Sequence, residues 1–172
     1  QKEWKLLQLL KDGADGRAAC LMVLETIQDP GNLGTILRAG EGAGITGVVM
    51  SRDTADLYNP KVIRSTMGSV LRVPFVYADD FGETLEEIKK AGIRLFAAHL
   101  KGSVPYDEAD YRGRTAFLIG NEANGLTEAS AQAADCRIRI PMEGKVESLN
   151  AAVAASVLMF EAARQRRRDG NI

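Results

Sequence analysis

Three stretches of this 172-residue chain hold side chains of the types that build a site. Asp29-Pro30-Gly31-Asn32 runs into NLGTILR, which ends at Arg38. Leu118–Leu126 reads LIGNEANGL and carries Glu122. Ile140–Asn150 reads IPMEGKVESLN and carries Ser148 and Asn150. A guanidinium, a carboxylate, two amides and a hydroxyl can together hold an anion, a hydroxyl and each other. Each residue also has a plainer reading. Asn32, Ser148 and Asn150 are types that cap helices. Arg38 reads equally as an ordinary exposed arginine, and Glu122 as a loop acid in water.

A rival pattern sits beside the first stretch. Gly42-Ala43-Gly44-Ile45-Thr46-Gly47 has the spacing of a dinucleotide-binding fingerprint. A working fingerprint follows a strand and opens a helix, so that free N–H groups meet a pyrophosphate. Here the order is reversed: a helical segment precedes the glycines and a strand follows. The free groups there are carbonyls, which repel phosphate. The stretch reads as a C-cap and turn, and a nucleotide-dependent oxidoreductase fails on that order. Asp29–Asn32 has the required context, with a strand before it and a helix after it.

The elements that must position these residues follow from periodicity. Six apolar runs read as strands: Ala19–Glu25, Gly47–Ser51, Val73–Ala78, Arg94–His99, Thr115–Gly120 and Arg137–Ile140. Asn32–Gly44, Pro60–Leu71, Thr84–Ala91, Leu126–Ala134 and Leu149–Arg168 read as helices. Asn32 is expected to cap the first of these, and Ser148 or Asn150 the last. The alternation predicts an α/β fold, a mostly parallel six-stranded sheet with helices on both faces. All three polar loops then open at one sheet edge. Gly44, Gly92 and Gly102 fall where a helix exits into the left-handed region. In the last helix Ala152, Ala155, Leu158, Met159 and Ala162 form an apolar stripe. Its end carries Arg164, Arg166, Arg167 and Arg168, either as a solvated end that suits the dipole or as a phosphate-contacting patch.

Composition narrows the classes. Apolar residues are 45% of the chain, enough for a full core, and 22 basic residues nearly balance 23 acidic ones. Overall charge therefore does not argue for nucleic-acid binding; a local patch would have to supply it. No apolar run reaches membrane-span length, and no signal peptide opens the sequence. Cys20 and Cys136 lie in apolar runs and read as reduced, buried thiols of a cytoplasmic protein. With one histidine and no CxxC, no metal site is expected.

Together the three stretches resemble the three motifs of the SpoU (TrmH) family of RNA ribose methyltransferases, within the SPOUT superfamily. The first is Asn32-x-Gly34-x-x-x-Arg38 after Asp29-Pro30-Gly31. The second is Ile119-Gly120-x-Glu122-x-x-Gly125. The third is Ile140-Pro141-Met142, then Ser148-Leu149-Asn150 and an alanine-rich helix. The similarity runs from Val23 to about Arg168 and keeps every polar position. It implies a C-terminal deep trefoil knot, which periodicity cannot show. It implies S-adenosylmethionine as cofactor, held by Gly120, Ile140, Met142, Leu149 and Ala98, with His99 close by in either a contact or a structural role.

The implied reaction is methyl transfer to a ribose 2′-hydroxyl of structured RNA, rRNA ahead of tRNA. Arg38 would be the catalytic arginine, with Asn32, Glu122, Ser148 and Asn150 positioning it, the ribose and the cofactor loop. The family implies a homodimer with Arg38 in a shared site, and the apolar face of the last helix is a candidate interface. Many relatives also carry an N-terminal RNA-binding domain. Gln1–Lys11 reads as the end of a linker from such a domain, so residues 1–18 form an N-terminal helix or linker and 19–172 the methyltransferase domain. The rival within this resemblance is a non-catalytic RNA-binding module that kept the fold.

Overall fold

Cys20–Leu24 (CLMVL) is apolar at every position, the composition of a strand covered on both faces. It is β1, and all five of its residues are buried. The computed structural model describes residues 4–66, 72–101 and 104–168. In chain order the elements are α1 (Leu6–Leu9), β1, α2 (Pro30–Ala43), β2 (Gly47–Ser51), α3 (Pro60–Thr66), β3 (Phe75–Ala78), α4 (Phe81–Lys90) and β4 (Arg94–Ala98). Then come β5 (Val104–Pro105), a 3₁₀ turn, β6 (Thr115–Ile119), α5 (Glu128–Ala133), β7 (Cys136–Arg139) and α6 (Ala151–Arg168).

The strands form one sheet in the order β3-β2-β1-β6-β4-β7-β5. Every pairing is parallel. The expectation of six strands is corrected to seven. The extra one, β5, is two residues long and contains Pro105, so it has no alternation to read and sits at a sheet edge where proline is tolerated.

Strand alternation splits the core in two. Cys20, Met22 and Leu24 face α2, α3 and α6, through residues such as Leu33, Val62 and Leu158. Leu21 and Val23 face the opposite layer with Leu9, Leu85 and Ile88 of α1 and α4. Helices thus cover both faces, as the alternation requires. The stripe Ala152, Ala155, Leu158, Met159 and Ala162 is buried in the first of these cores. That corrects the reading of it as an interface: these residues are occupied within the chain. The apolar residues that α6 leaves exposed are Val153 and Phe160.

At the arginine-rich end of α6, Arg164, Arg167 and Arg168 are exposed, as a solvated end requires, and only the reading of Arg166 is corrected. Arg166 is buried and donates to the carbonyls of Tyr111, Gly113, Ala18 and Ala19. It closes the amino-terminal side of β1 and β6, away from the three polar loops. Arg164 is held by Glu161. A buried guanidinium with four carbonyl partners satisfies donors that would otherwise be costly to desolvate.

The glycine-rich turn behaves as its order requires. α2 ends at Ala43, Gly44 takes φ 86°, and its N–H returns to the carbonyls of Gly40 and Glu41. Gly92 takes φ 78° after α4. Gly102 and the end of the expected helix Pro60–Leu71 lie outside the described residues.

Candidate active site

The carboxyl ends of β1, β6 and β7 lead to the three polar stretches, so one sheet edge collects all of them. The chain steps from β1 to β2 and β3 on one side and places β6, β4 and β7 on the other. The edge near β1 and β6 is therefore the switch point at which open α/β sheets hold ligands.

The first loop enters α2 differently from the expectation. Asp29, not Asn32, is the N-cap, and its side chain accepts from Gly31 N. Pro30 occupies the first helical position, where its missing N–H is no loss. Asn32 is thereby moved into the first turn, and its amide is free for other partners. Its Nδ2 donates to Glu122 Oε2 at 3.3 Å. Its Oδ1 accepts from Asn150 Nδ2 at 3.0 Å. Asn150 Oδ1 in turn accepts from Ala152 N at 2.8 Å and Val153 N at 3.2 Å, so Asn150 is the cap of α6. Donation runs one way, from the α6 terminus through both asparagines to the Glu122 carboxylate. A carboxylate at the end of such a chain polarises every bond in it.

Glu122 also accepts from Asp29 N at 2.8 Å and Gln28 N at 3.1 Å. Partial burial raises its pKa, but the N–H groups of Asp29 and Gln28, with the Asn32 amide, outweigh burial and hold it below the ordinary value. Glu122 is thus ionised at neutral pH and ties the second loop to the first. Asn121 adds a bond from Nδ2 to Thr26 O at 2.7 Å. Thr26 is the one described non-glycine residue with positive φ, at 58°. Its N–H is taken by Ser51 Oγ and its hydroxyl by Asp53. Those bonds hold a conformation that a β-branched residue seldom adopts.

Sequence reading missed Glu25. It is buried at the end of β1 and accepts from Thr127 N, Thr127 Oγ1 and Ser130 Oγ at 2.8, 3.0 and 2.5 Å. Thr127 caps α5, so Glu25 clamps the far side of the Glu122 loop to β1. An acid closing an apolar strand was the available signal, but nothing local names its partners.

A cavity of about 720 Å³ lies against the loops that follow β4, β6 and β7. Ala98, Gly120, Ile140, Met142 and Leu149, the five expected cofactor contacts, all line it. His99, Glu122 and Ser148 line it too. His99 Nδ1 accepts from Lys101 N, which fixes its ring. Gly120 is required here: a Cβ would lie 2.3 Å from Gly125 C and Leu126 N, backbone atoms with no room to move. The loop folds back through Gly125 N–H to Asn121 O at 2.9 Å, so backbone forms a cavity wall. The size suits a small ligand. The walls, apolar at Ile140 and Leu149 and polar at Glu122 and Ser148, suit one with an apolar body and charged ends.

Arg38 stands apart. It is exposed on α2, is not on the cavity wall, and has no partner among the described residues. Asn32, Glu122 and Asn150 are therefore brought together, Ser148 shares the cavity wall with Glu122, and Arg38 is exposed on α2 away from it. A second cavity of about 770 Å³, between Trp4–Leu6 and the β3 edge, is lined by none of the expected site residues. Among the described residues no group of His, Cys, Asp and Glu could hold a metal ion, and no helix is long and apolar enough to cross a membrane.

The chain is 38% identical over 160 residues to a 23S rRNA (guanosine-2'-O-)-methyltransferase RlmB of Xylella fastidiosa, covering 93% of this chain and 64% of that one. It is 35% identical over 140 residues to the 23S rRNA (guanosine(2553)-2'-O)-methyltransferase RlmP of Bacillus subtilis, covering 81% and 56%. It thus spans somewhat less than two thirds of the curated relatives it matches. The SpoU methyltransferase AviRb of Streptomyces viridochromogenes, in complex with AdoMet, superposes with TM-score 0.88 at 31% identity, over 98% of this chain and 67% of that one. An AdoMet-bound rRNA methyltransferase of Sinorhizobium meliloti superposes with TM-score 0.85 at 34% identity, over 95% and 61%. The model of the SpoU rRNA Methylase family matches residues 19–160, the span that holds all three loops, and the chain belongs to that family.

Proposed function

We propose that this chain catalyses S-adenosylmethionine-dependent methylation of a ribose 2′-hydroxyl in structured RNA, with rRNA the first candidate and tRNA the second. The observation that carries the reading is the single hydrogen-bonded chain Glu122–Asn32–Asn150 beside a cavity lined by all five expected cofactor residues. The named activities of the relatives and the AdoMet-bound neighbours support it.

Gly120, Ile140, Met142, Leu149 and Ala98 would hold the cofactor, which supplies an electrophilic methyl group. The chain's own residues supply alignment and charge. Asn150 fixes Asn32, Asn32 and the two loop N–H groups fix Glu122, and Glu122 fixes the wall of the cavity. Ser148 offers a hydroxyl at the same wall. A guanidinium offers only donors and no acceptor, so Arg38 is not assigned the part of base. Its role is to grip the nucleotide phosphate and stabilise the alkoxide as the 2′-proton leaves.

Arg38 lies outside its own chain's cavity, which supports a homodimer in which the arginine completes a site shared with a second copy. Val153 and Phe160 on the outer side of α6 offer exposed apolar surface for that contact. The C-terminal part is proposed to form a deep trefoil knot. The sheet order supports this, since β6 and β7 come late in the chain yet lie inside the sheet. Residues 1–18 are proposed as the end of a linker from an RNA-binding domain, and the setting as cytoplasmic.

Calorimetric titration with S-adenosylmethionine tests the reading. Saturable binding at one site per chain is expected. A folded protein that gives no binding heat at any temperature tested would sink it, and binding without methyl transfer would favour the non-catalytic module.

A further inference from the structure

α3 (Pro60–Thr66) carries Lys61 and Arg64 and no acidic residue. Both cations are exposed, and neither side chain has a partner among the described residues. They share this with other exposed cations, among them Lys90, Lys145, Arg167 and Arg168, but differ in lying beside the helix that carries Arg38. Arg52, Arg72, Arg112, Arg137 and Arg164 are each neutralised by a carboxylate. Lys61 also sits in the first turn of its helix, where the dipole disfavours a cation. Among the described residues no carboxylate pairs with its charge there.

The position of α3 is set by a close approach. A Cβ at Gly34 would lie 2.3 Å from Ser65 Cβ and 3.3 Å from Val62 O, so the two helices touch at this glycine. Arg38 is four residues on from Gly34 and so emerges one turn further along the same side of α2, about 6 Å away. Lys61 and Arg64 flank Ser65 within one turn of α3, and Ser65 Oγ bonds to Lys61 O at 2.7 Å. Val62 and Thr66 are buried, which turns positions 61 and 64 outward. The acid of α2, Glu41, is paired with Arg72. Three exposed cations, Arg38, Lys61 and Arg64, therefore lie on the two helices that touch at Gly34 and Ser65, in a chain whose net charge is close to zero.

We propose that Lys61 and Arg64 are substrate-positioning residues: they hold RNA phosphates flanking the nucleotide engaged by Arg38. The proposal rests on the RNA methyltransferase reading and adds a second element to it. Phosphate contacts fix the register of a nucleic acid without reading its bases. Each also releases counterions and steepens the salt dependence by about 0.7 to 0.9 per contact.

The test uses the 172-residue chain, an in vitro transcript of 23S rRNA, and the double variant Lys61→Ala/Arg64→Ala, with Arg64→Lys as the conservative control. Affinity for the transcript is measured across a salt series, and methyl transfer is measured in parallel. The expected result is a salt slope shallower by about 1.4 to 1.8. KM for RNA should rise at least tenfold while kcat stays within about twofold. Binding of S-adenosylmethionine and the melting temperature should be unchanged, and Arg64→Lys should keep the wild-type slope because counterion release follows the charge. A double variant with wild-type slope and KM overturns the proposal while leaving the methyltransferase reading intact. A variant that loses kcat or cofactor binding instead also overturns it. A wild-type chain that binds cofactor but no RNA at low salt overturns both.

Discussion

Asn150 Nδ2 donates to Asn32 Oδ1 at 3.0 Å across 118 residues of chain, while the other end of the same amide caps α6. One side chain thus does two jobs, and two substitutions separate them. Asn150→Asp keeps an acceptor for the α6 N–H groups but sets oxygen against Asn32 Oδ1. Its stability should stay within about 0.5 kcal/mol of wild type, since Asp and Asn cap equally well. Methyl transfer should fall about a hundredfold through misplacement. Asn150→Ala should lose both, with about 1 kcal/mol of stability gone. Thermal melts alongside turnover would show it, and a fully active Asn150→Asp would contradict the relay.

Glu122 carries a pH signature. Its folded pKa is held below the ordinary 4.5 by Asp29 and Gln28 N–H groups despite burial. A carboxyl with a depressed folded pKa stabilises the fold above its unfolded pKa, and the contribution is lost as pH falls through the folded value. Between about pH 6 and about pH 3, wild type should therefore lose more stability than Glu122→Gln, which has no such titration. The two denaturation curves should converge at acid pH. Parallel curves would mean the carboxylate is not doing the holding.

Gly34 reports on the α2–α3 contact. Gly34→Ala places a methyl 2.3 Å from Ser65 Cβ and should cost about 1–3 kcal/mol, against the usual gain of alanine in a helix. Adding Ser65→Gly removes the obstructing atom. The double variant should recover more than half of the loss, and calorimetric melting of the four proteins gives the coupling directly.

Arg38 separates charge from geometry. Arg38→Ala should lower turnover about 10²–10³-fold, the range for removing a donor aimed at a developing oxyanion. Arg38→Lys keeps the charge but not the planar fork, and should remain at least about tenfold impaired. Near-normal turnover in the lysine variant would reduce the arginine to a simple cation.

Much of this was legible in the residues. The strand-then-helix order around Asp29–Asn32, against helix-then-strand around Gly42–Gly47, agrees with the observed helix entry at Asp29 and helix exit at Gly44. The alternation gave the parallel sheet and hence one edge for all three loops. Local pattern could not reveal what depends on long-range contact. Asn32 looks like a cap because asparagine caps helices, yet Asp29 three residues earlier takes that place and frees Asn32 for Asn150. Arg166 looks like a solvated helix end, but its partners come from residues 18, 19, 111 and 113. Glu25 carries no local sign of its role, because Thr127 and Ser130 lie about a hundred residues away. β5 was invisible because two residues have no period.

Transfer of tritium from methyl-labelled S-adenosylmethionine to unmodified 23S rRNA, followed by complete nuclease digestion, tests the central claim most directly. Label recovered as a 2′-O-methylated nucleoside, and lost with Arg38→Ala, is the expected result. Label on a base, or no transfer from a chain that binds both cofactor and RNA, would contradict it.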